Sequence, residues 1–332
     1  MADPVNTIVD EIPIPASAYW IHVVDDWLYC SGNQLTVVDL RTKASGILAG
    51  GVATGCLALV DFHRAFNLPP DVAGSGVPDR RLYTPAAQGK IGEIIPALLN
   101  QFSSFDVRLD PSVESSVISS MAGTNRGKYL YFNDWTRHAI GIVDLDRPDP
   151  RVVGTIRFDS VAFDMVVSPD DRFIYASHEI DDTVSVIDTS TFPPSITTVP
   201  VVNSPWGLAL SADGKRLFVA QSGIEDHPPT SLGTGSLTVL DTTTMQGVWL
   251  YTGKTSVDVL LNAAETRAYV SNFDDNTVSV VDVTGSPVLI DTIDGFTAPG
   301  NMCFSADGKH MYVTQYRDPS AGPPLGIAVV AV

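Results

Sequence analysis

The feature that most constrains the fold is a short strand-like segment that recurs seven times along the chain. The copies are DWLYCSG (26–32), RRLYTPA (80–86), KYLYFND (128–134), RFIYASH (172–178), RLFVAQS (216–222), RAYVSNF (267–273) and HMYVTQY (310–316). Six steps carry the chain from Ser31 to the equivalent Gln315, or about 47 residues per step, a period typical of repeat architectures. The chain is therefore built from seven copies of one repeat unit.

Each unit contains more than this one segment. An alternating apolar segment that usually ends in Asp follows it, as in VSVIDT (184–189), and an apolar strand with a tight turn often precedes it, as in LALSADGK (208–215). A fourth apolar segment completes the unit, as in SITTVPVV (195–202). The Asp-Gly pair in the turn suits the backbone angles of a hairpin. Each unit therefore predicts four short antiparallel strands.

A four-stranded sheet with two apolar faces must bury both of them against neighbours. Seven such sheets arranged radially bury each other's faces, whereas a β-sandwich would need no fixed repeat of this kind. The sequence predicts an all-β, seven-bladed β-propeller forming a single domain over residues 1–332. The last unit stops at its third strand, GIAVVAV (326–332), and the N-terminal NTIVDEIPIP (6–15) has the form of a missing fourth strand. We expect residues 6–14 to close the ring against the C-terminal blade.

The units resemble those of a known repeat family. SPDDRFIYASHEIDDTVSVIDTSTF (168–192) and SADGKRLFVAQSG (211–223) are similar to YVTN-type β-propeller repeats. Units 4 to 7 match throughout, and units 1 to 3 match in their second and third strands. The resemblance implies the propeller fold. Proteins with this pattern include surface and secreted proteins, and similar rings include lactonases and streptogramin lyases, so it does not select one function.

The net charge of −18 makes nucleic acid a poor partner, because phosphate binding needs a basic surface. No apolar run is long enough to span a bilayer, and no Cys-x-x-Cys-His run is present for attached haem. We expect a monomer. The sequence leaves two alternatives for the cysteines: a disulfide between Cys30 and Cys56, or three buried free thiols that include Cys303. The free thiols are favoured. The N-terminus has no signal-peptide pattern, and the sequence leaves the compartment unknown: we expect a cytoplasmic protein as written, or a secreted or periplasmic one after removal of a signal.

Three segments depart from the repeat. Residues 61–80 replace the turn between strands 1 and 2 of blade 2, on the bottom face of the ring. Residues 222–235 and 316–326 lie between strands 2 and 3 of blades 5 and 7, on the top face. The two top insertions are rich in Gly and Pro, so they are either ordered flaps or decorative surface loops.

The start of strand 1 lines the mouth of the central channel on the top face. The aligned residues are Trp20, Cys56, Ser120, Asp164, Gly207, Asp258 and Asn301. Asp164 and Asp258 are carboxylates in strands that are otherwise apolar and do not require them for folding. They are therefore the candidate metal ligands, for Ca²⁺ or Mg²⁺. The candidate ligand-binding residues are Asp164, Asp258, Asn301, Trp206, Gln221, Asn272, Gln315 and Asn133. The competing interpretation is that these polar groups only bond backbone and water between blades.

Two classes of function stay open from the sequence. The first is a binding protein that engages a small ligand or a protein partner through the top face. The second is a lactonase-like hydrolase or a lyase, in which His178 acts with the mouth carboxylates. Acidic neighbours in SHEIDD (177–182) would raise the pKa of His178, although a solvated loop histidine is the alternative. The Asp that ends strand 3, as at Asp188, is assigned to turn structure.

Overall fold

The computed structural model describes residues 6–32, 34–49, 58–61, 80–86, 90–94, 102–109, 117–146, 150–191, 193–223, 233–318, 320 and 322–332. Within these ranges the chain forms 28 strands in seven four-stranded antiparallel sheets. The first strands of neighbouring sheets contact each other in sequence from blade 2 to blade 7 and on to blade 1, and a shared apolar cluster joins blades 1 and 2. The predicted seven-bladed β-propeller is confirmed.

The strand bounds follow the predicted units. The first strand is β1 (Thr7–Ile12). Blade 1 contains β2 (Ala18–Val24), β3 (Trp27–Gly32), β4 (Leu35–Asp39) and β5 (Ser45–Ala49). Blade 2 contains β6 (Ala58–Asp61), β7 (Arg80–Ala86), β8 (Lys90–Ile94) and β9 (Phe102–Asp106). Blade 3 contains β10 (Ile118–Gly123), β11 (Tyr129–Asp134), β12 (Ala139–Asp144) and β13 (Arg151–Arg157), with a 3-10 helix (Trp135–Arg137) after β11.

The second half of the ring is the most regular. Blade 4 contains β14 (Met165–Val167), β15 (Phe173–His178), β16 (Thr183–Asp188) and β17 (Ser195–Pro200). Blade 5 contains β18 (Pro205–Leu210), β19 (Arg216–Gln221), β20 (Thr234–Asp241) and β21 (Gly247–Lys254). Blade 6 contains β22 (Ser256–Leu261), β23 (Arg267–Asn272), β24 (Thr277–Asp282) and β25 (Val288–Ile293). Blade 7 contains β26 (Pro299–Phe304), β27 (His310–Gln315) and β28 (Ile327–Ala331).

The two ends of the chain close the ring, as the sequence predicts. Strand β1 pairs antiparallel with β28, from Thr7 opposite Ala331 to Ile12 opposite Ile327. The side chain of Glu11 reinforces this pairing, because its Oε1 accepts a hydrogen bond from the Gly326 N–H at 2.7 Å. Blade 7 therefore takes its outermost strand from the N-terminus.

The core lies between the blades. Among the described residues, buried apolar side chains form seven clusters, each shared by two neighbouring blades. Between blades 4 and 5, for example, Tyr175 and Val186 pack with Leu208, Leu217 and Val219. The middle strands are buried on both faces, whereas the outermost strands are largely exposed, as in β17 and β25. The blades must therefore stack, which explains the repeated strand sequences.

The bottom-face turns repeat one hydrogen-bond pattern. In blade 5, Ser211 Oγ donates to Asp213 Oδ1 at 2.7 Å and accepts from the Arg216 N–H at 2.9 Å. Gly214 in the same turn has φ +71°, a conformation that favours glycine. Equivalent serines in blades 4 and 7 make the same two bonds. The Ser-x-Asp pattern thus fixes the hairpin between strands 1 and 2.

The Asp that ends strand 3 is structural, as assigned from the sequence. In five blades its Oδ1 accepts the backbone N–H two residues later, and these residues are Asp39, Asp144, Asp188, Asp241 and Asp282. The hydrogen bonds hold the pKa of Asp39, Asp188, Asp241 and Asp282 below the ordinary value. This carboxylate therefore caps the turn that leads to strand 4.

Several predictions fall partly or wholly outside the described residues. They concern Cys56 and most of the insertions at 61–80 and 222–235. Cys30 and Cys303 are buried free thiols. Within the described ranges, no helix has the length and apolar character needed to cross a lipid bilayer.

Candidate functional site

Polar side chains at the start of strand 1 link neighbouring blades across the channel mouth. In four cases a side-chain oxygen of an aligned mouth residue accepts a hydrogen bond from a backbone N–H of the next blade. The donor is the residue that directly follows the aligned mouth residue of that next blade. The pairs are Ser120 with Met165 (3.2 Å), Asp164 with Leu208 (2.9 Å), Asp258 with Met302 (2.8 Å) and Asn301 with Ile21 (2.9 Å). We call this set the inter-blade relay. It accounts for most of the polar character that the aligned sequence places at the mouth.

Asp164 is held by hydrogen bonds on both carboxylate oxygens. Its Oδ1 accepts from Ser120 Oγ at 2.9 Å and from the Met165 N–H at 2.8 Å, and its Oδ2 accepts from Leu208. Burial raises the pKa of Asp164 above the ordinary value, and the three hydrogen bonds oppose this shift. Its oxygens are therefore engaged with the protein.

Asp258 is held in the same way as Asp164, by three hydrogen bonds that reach both of its carboxylate oxygens. Its Oδ2 accepts from the Met302 N–H and from Asn301 Nδ2 at 3.1 Å, whereas Oδ1 accepts from the Val259 N–H at 2.9 Å. Burial, with the negative charge of Asp164 as a smaller cause, raises the pKa of Asp258 to about 7. The negative charge of Asp164 thus opposes the ionisation of Asp258, as expected for two carboxylates at one mouth.

The relay is interrupted at Gly207 in blade 5. A side chain there could not be accommodated, because a Cβ would lie 2.8 Å from both the Asp258 Cα and the Val257 carbonyl oxygen. In the relay pattern, a blade 5 side chain would accept a hydrogen bond from the Val259 N–H. This N–H donates to Asp258 Oδ1 instead. Gly207 therefore lets the backbones of blades 5 and 6 approach closely, and blade 5 contributes no side chain to the relay.

A pocket of about 230 Å³ opens where the relay is interrupted. Its lining residues are Tyr19, Trp20, Phe163, Trp206, Gly207, Val257, Asp258, Phe273, Gly300 and Asn301. A second pocket of about 250 Å³ shares Tyr19, Phe273 and Gly300 with it and extends towards Tyr316. Pockets with many apolar walls and a few polar groups are the usual form of a small-ligand site.

Aromatic rings surround the pocket and contact one another. Phe163 stacks on Trp206 with ring centroids 4.5 Å apart, and Trp135 meets Phe163 edge-on at 6.2 Å. On the other side, Tyr316 lies 6.3 Å from Tyr19 and 5.9 Å from Phe273. We call these residues, with Trp20, the aromatic collar. It draws on blades 1, 3, 4, 5, 6 and 7.

Of the sequence candidates, the structure brings Asp258, Asn301 and Trp206 to the pocket. Asp164 lies beside it as the next carboxylate of the relay. The assignment of Asp164 and Asp258 as ligands of Ca²⁺ or Mg²⁺ stays a prediction. No group of three or more His, Cys, Asp or Glu side chains in the described part of the chain is arranged to hold a metal ion.

The candidates at the end of strand 2 do not line this pocket. Asn133, Gln221 and Asn272 are fully buried within their blades. Asn133 Nδ2 donates to Ser119 Oγ and to the Ala162 carbonyl, and Gln221 Nε2 donates to the Val202 carbonyl.

The other two candidates of this group follow the same pattern. Asn272 bonds the hydroxyls of Ser256, Thr277 and Ser279. Gln315 accepts from the Thr297 N–H at 2.9 Å and lies only at the second pocket. The structure places these amides as ties between a strand end and neighbouring strands or loops, so their predicted contact with ligand has no geometric support.

His178 differs from both sequence expectations, the solvated one and the acid–base one. Its side chain is buried, with Nε2 2.8 Å from Ser185 Oγ and Nδ1 3.1 Å from the Val161 carbonyl. A carbonyl only accepts, so Nδ1 carries the proton and Nε2 accepts from the serine. Burial lowers the pKa of His178, and the expected rise was wrong because the ring packs against Phe158 inside blade 4.

Sequence reasoning missed Tyr19, Phe163 and Phe273 as pocket residues. Tyr19, Phe163 and Trp206 stand one position before the aligned mouth residues, in the same column of the repeat. Phe273 and Tyr316 share another column, directly after strand 2. Aromatic residues in a repeat column that faces the channel were the signal available in the sequence.

The comparisons with solved structures show the fold. The chain aligns with a chain of Kuenenia stuttgartiensis hydrazine synthase at TM-score 0.72 and 17% identity, covering 98% of this chain and 97% of that one. Virginiamycin B lyase from Staphylococcus aureus aligns at TM-score 0.70 and 11% identity, covering 98% of each chain. A chain of the mitotic checkpoint complex aligns at 0.72 and 13%, covering 98% and 93%. Enzymes and an interaction assembly thus share this seven-bladed ring.

Sequence comparison gives a partial relative. The chain is 26% identical over 159 residues to antigen Lp49 of Leptospira interrogans, a match that covers 45% of this chain and 32% of that protein. The chain therefore spans about a third of the length of this curated relative. No family model matches the chain.

Proposed function

We propose that this protein is a small-ligand-binding β-propeller whose site is the pocket of the aromatic collar on the top face. The observation that carries the proposal is the interruption of the inter-blade relay at Gly207, beside a pocket walled by Trp206, Phe163 and Phe273. The polar groups around the described mouth, including Asp258, hydrogen-bond to the protein itself. At this pocket Asp258 and several aromatic faces border an open space that a ligand can fill.

The packing of the pocket supports a binding role. Trp206 and Phe163 are stacked, and the blades behind them are rigid sheets, so the walls are largely formed before a ligand arrives. A preformed site loses less conformational entropy on binding than a mobile one. We also propose that the repeats are of the YVTN type, which the Ser-x-Asp turns and the Asp at the end of strand 3 support.

An enzymatic role receives no such support. The hydrolase or lyase alternative needs His178 at the channel mouth, and its ring nitrogens are committed to Ser185 and Val161 within blade 4. Asp164 is bonded on both oxygens. The residues at the mouth are therefore better suited to recognition than to proton transfer.

The proposal is tested by titrating a panel of small ligands while recording tryptophan fluorescence, to which the pocket residues Trp20 and Trp206 contribute. Ligands that bind should lose at least about 10-fold in affinity in Trp206→Ala, because an aromatic wall is removed. Trp249→Ala is the matched control, since Trp249 is 48% exposed on the outermost strand of blade 5. Equal affinity of the wild type and Trp206→Ala for every binder, or no binder at all, would contradict the proposal.

A further inference from the structure

The pocket combines aromatic faces with negative charge, and its described lining carries no positive charge. Asp258 lies in its lining, Asp164 lies beside it, and none of the described lining residues is Lys, Arg or His. The nearby Arg137 is bound to Asp134 by a 2.7 Å ion pair. The local charge of the mouth is therefore negative and is not compensated by the described lining.

The loops around the mouth extend the same charge. Asp181 and Asp182 follow β15 in blade 4, and Asp274 and Asp275 follow β23 in blade 6. Among these, Asp275 pairs with Lys254 at 3.7 Å, and the chain as a whole carries −18. A concave, acidic mouth raises the local concentration of cations and repels anions.

The aromatic collar supplies the second element of cation recognition. The faces of Trp, Tyr and Phe carry negative electrostatic potential and attract ammonium groups, and several rings around one space form the cages that hold alkylated ammonium ions. Tyr19, Trp20, Phe163, Trp206 and Phe273 all line one pocket of about 230 Å³. This volume suits a small head group and excludes a folded partner.

The polar atoms of the pocket also favour a cation over a sugar. Asn301 uses its Oδ1 for the Ile21 N–H and its Nδ2 for Asp258, so its amide is occupied. The indole nitrogen of Trp206 is enclosed and donates no hydrogen bond within the described structure. Sugars need both donors and acceptors, whereas these walls offer aromatic faces and one carboxylate.

From these observations we propose that the ligand of the top-face pocket is a small organic cation with an alkylammonium head group, held between the aromatic collar and Asp258. This inference rests on the proposed binding function and names the chemical class of its ligand. The ammonium group lies over the aromatic faces with the carboxylate of Asp258 beneath it. An uncharged group of the same shape gains only the burial of its methyl groups.

The test compares two probes that differ in a single atom and its charge. Choline carries a trimethylammonium group, and 3,3-dimethylbutan-1-ol carries a tert-butyl group of the same shape. Isothermal titration at low ionic strength should give choline at least about 10-fold tighter binding than the alcohol. Raising the salt concentration should weaken choline binding and leave the alcohol unaffected, because only the cation is screened.

A pair of variants locates the effect. Phe273→Leu keeps an apolar side chain but removes one aromatic face, so choline should bind about 3-fold or more weakly while binding of the alcohol changes little. Trp249→Leu, on the exposed rim of blade 5, should change neither. Thermal melting of both variants shows whether the fold is intact.

The outcomes separate this inference from the proposed function. Equal binding of choline and the alcohol, with both reduced in Trp206→Ala, would overturn the cation inference and leave the pocket as a ligand site. Choline binding that Trp206→Ala and Phe273→Leu do not reduce would overturn the placement of the cation in the collar. If neither these probes nor any member of the wider panel binds, both proposals fail.

Discussion

The carboxylate of Asp164 accepts a 2.9 Å hydrogen bond from the backbone N–H of Leu208, which belongs to the next blade. The same relationship recurs between Asp258 and Met302, 44 residues apart in each case. A carboxylate at the mouth of the ring can therefore act as a joint between blades. This role explains how Asp258 persists at the start of an apolar strand although the negative charge of Asp164 makes its ionisation more costly.

Asp164→Asn should destabilise the protein. Both carboxylate oxygens accept backbone N–H groups, so whichever position the new amide nitrogen takes, it faces another donor. An unsatisfied donor in a desolvated place costs about 1–3 kcal/mol. Thermal or urea unfolding measures the loss, with the exposed Asp294→Asn as the control. From the sequence alone, changing both Asp164 and Asp258 to Asn is expected to leave the fold intact or to stabilise it by relieving repulsion, and the hydrogen bonds of Asp164 argue against this. Equal stability of the two variants would show that the relay bonds are dispensable.

The stability of the protein should fall between about pH 4 and pH 7 through Asp258. Its folded-state pKa of about 7 exceeds the ordinary value of 3.8, so the folded chain holds a proton that the unfolded chain releases in this window. Stability then decreases as pH rises, and the contribution is constant above about 7. Asp258→Asn removes this slope, and any cost of the new amide adds an offset that does not vary with pH.

Urea midpoints of the wild type and Asp258→Asn from pH 4 to 8 check this expectation. The difference between the two proteins should move in favour of the variant as the pH rises. A difference that stays constant across the window would show that Asp258 titrates at its ordinary value in the folded state.

The fold could be predicted because the repeat is a physical requirement. Each unit, such as the one around Tyr175 and Val186, leaves two apolar faces that only neighbouring units can cover. The closing strand followed from counting, since blade 7 lacked one strand and residues 6–14 supplied an extra one. Both statements depend on backbone pairing and period, which a single sequence displays directly.

The candidate site was only partly predictable, because the repeat period does not determine the direction in which each side chain points. Asn272 and Phe273 are adjacent, yet Asn272 is buried within its blade while Phe273 lines the pocket. Alternation along a strand puts neighbours on opposite sides, and the strand ends there, so the sequence could not say which residue faces the mouth. Nor could it show that Gly207 opens the space beside Asp258, which depends on how closely two blades approach.

Asp188→Ala should lower stability modestly and leave ligand binding unchanged. Asp188 Oδ1 accepts the Ser190 N–H at 2.9 Å, and Oδ2 pairs with Arg172 at 2.7 Å on the exposed bottom edge of blade 4. Losing a single exposed turn cap lowers the melting temperature of a domain of this size by roughly 1–3 °C. Asp188→Asn keeps an acceptor for Ser190 and should recover part of this loss.

The stability that Asp188 contributes changes with pH in the opposite direction to the stability that Asp258 contributes. The Arg172 side chain, with the Ser190 hydrogen bonds, holds the pKa of Asp188 well below its usual range. Its stabilisation is therefore present above the unfolded pKa near 4 and is lost as pH falls below it. Wild type and variant should converge in melting temperature in acid. A loss of ligand binding in Asp188→Ala at unchanged stability would contradict the structural assignment.

Removing the closing strand should have the largest effect of these changes. Deleting residues 1–15 takes away β1, which pairs along β28, and exposes the backbone edge of β28 to solvent. It also removes Ile12, whose side chain is 2% exposed and contributes about 1.5–3 kcal/mol through burial. An unpaired edge of this kind invites pairing with another chain. The truncated protein should therefore melt at a clearly lower temperature and aggregate, as followed by circular dichroism and light scattering. Deleting only residues 1–5 keeps β1 and is the matched control. If the protein with the longer deletion has the same melting temperature as the control and scatters no more light than it does, ring closure by β1 contributes nothing to stability.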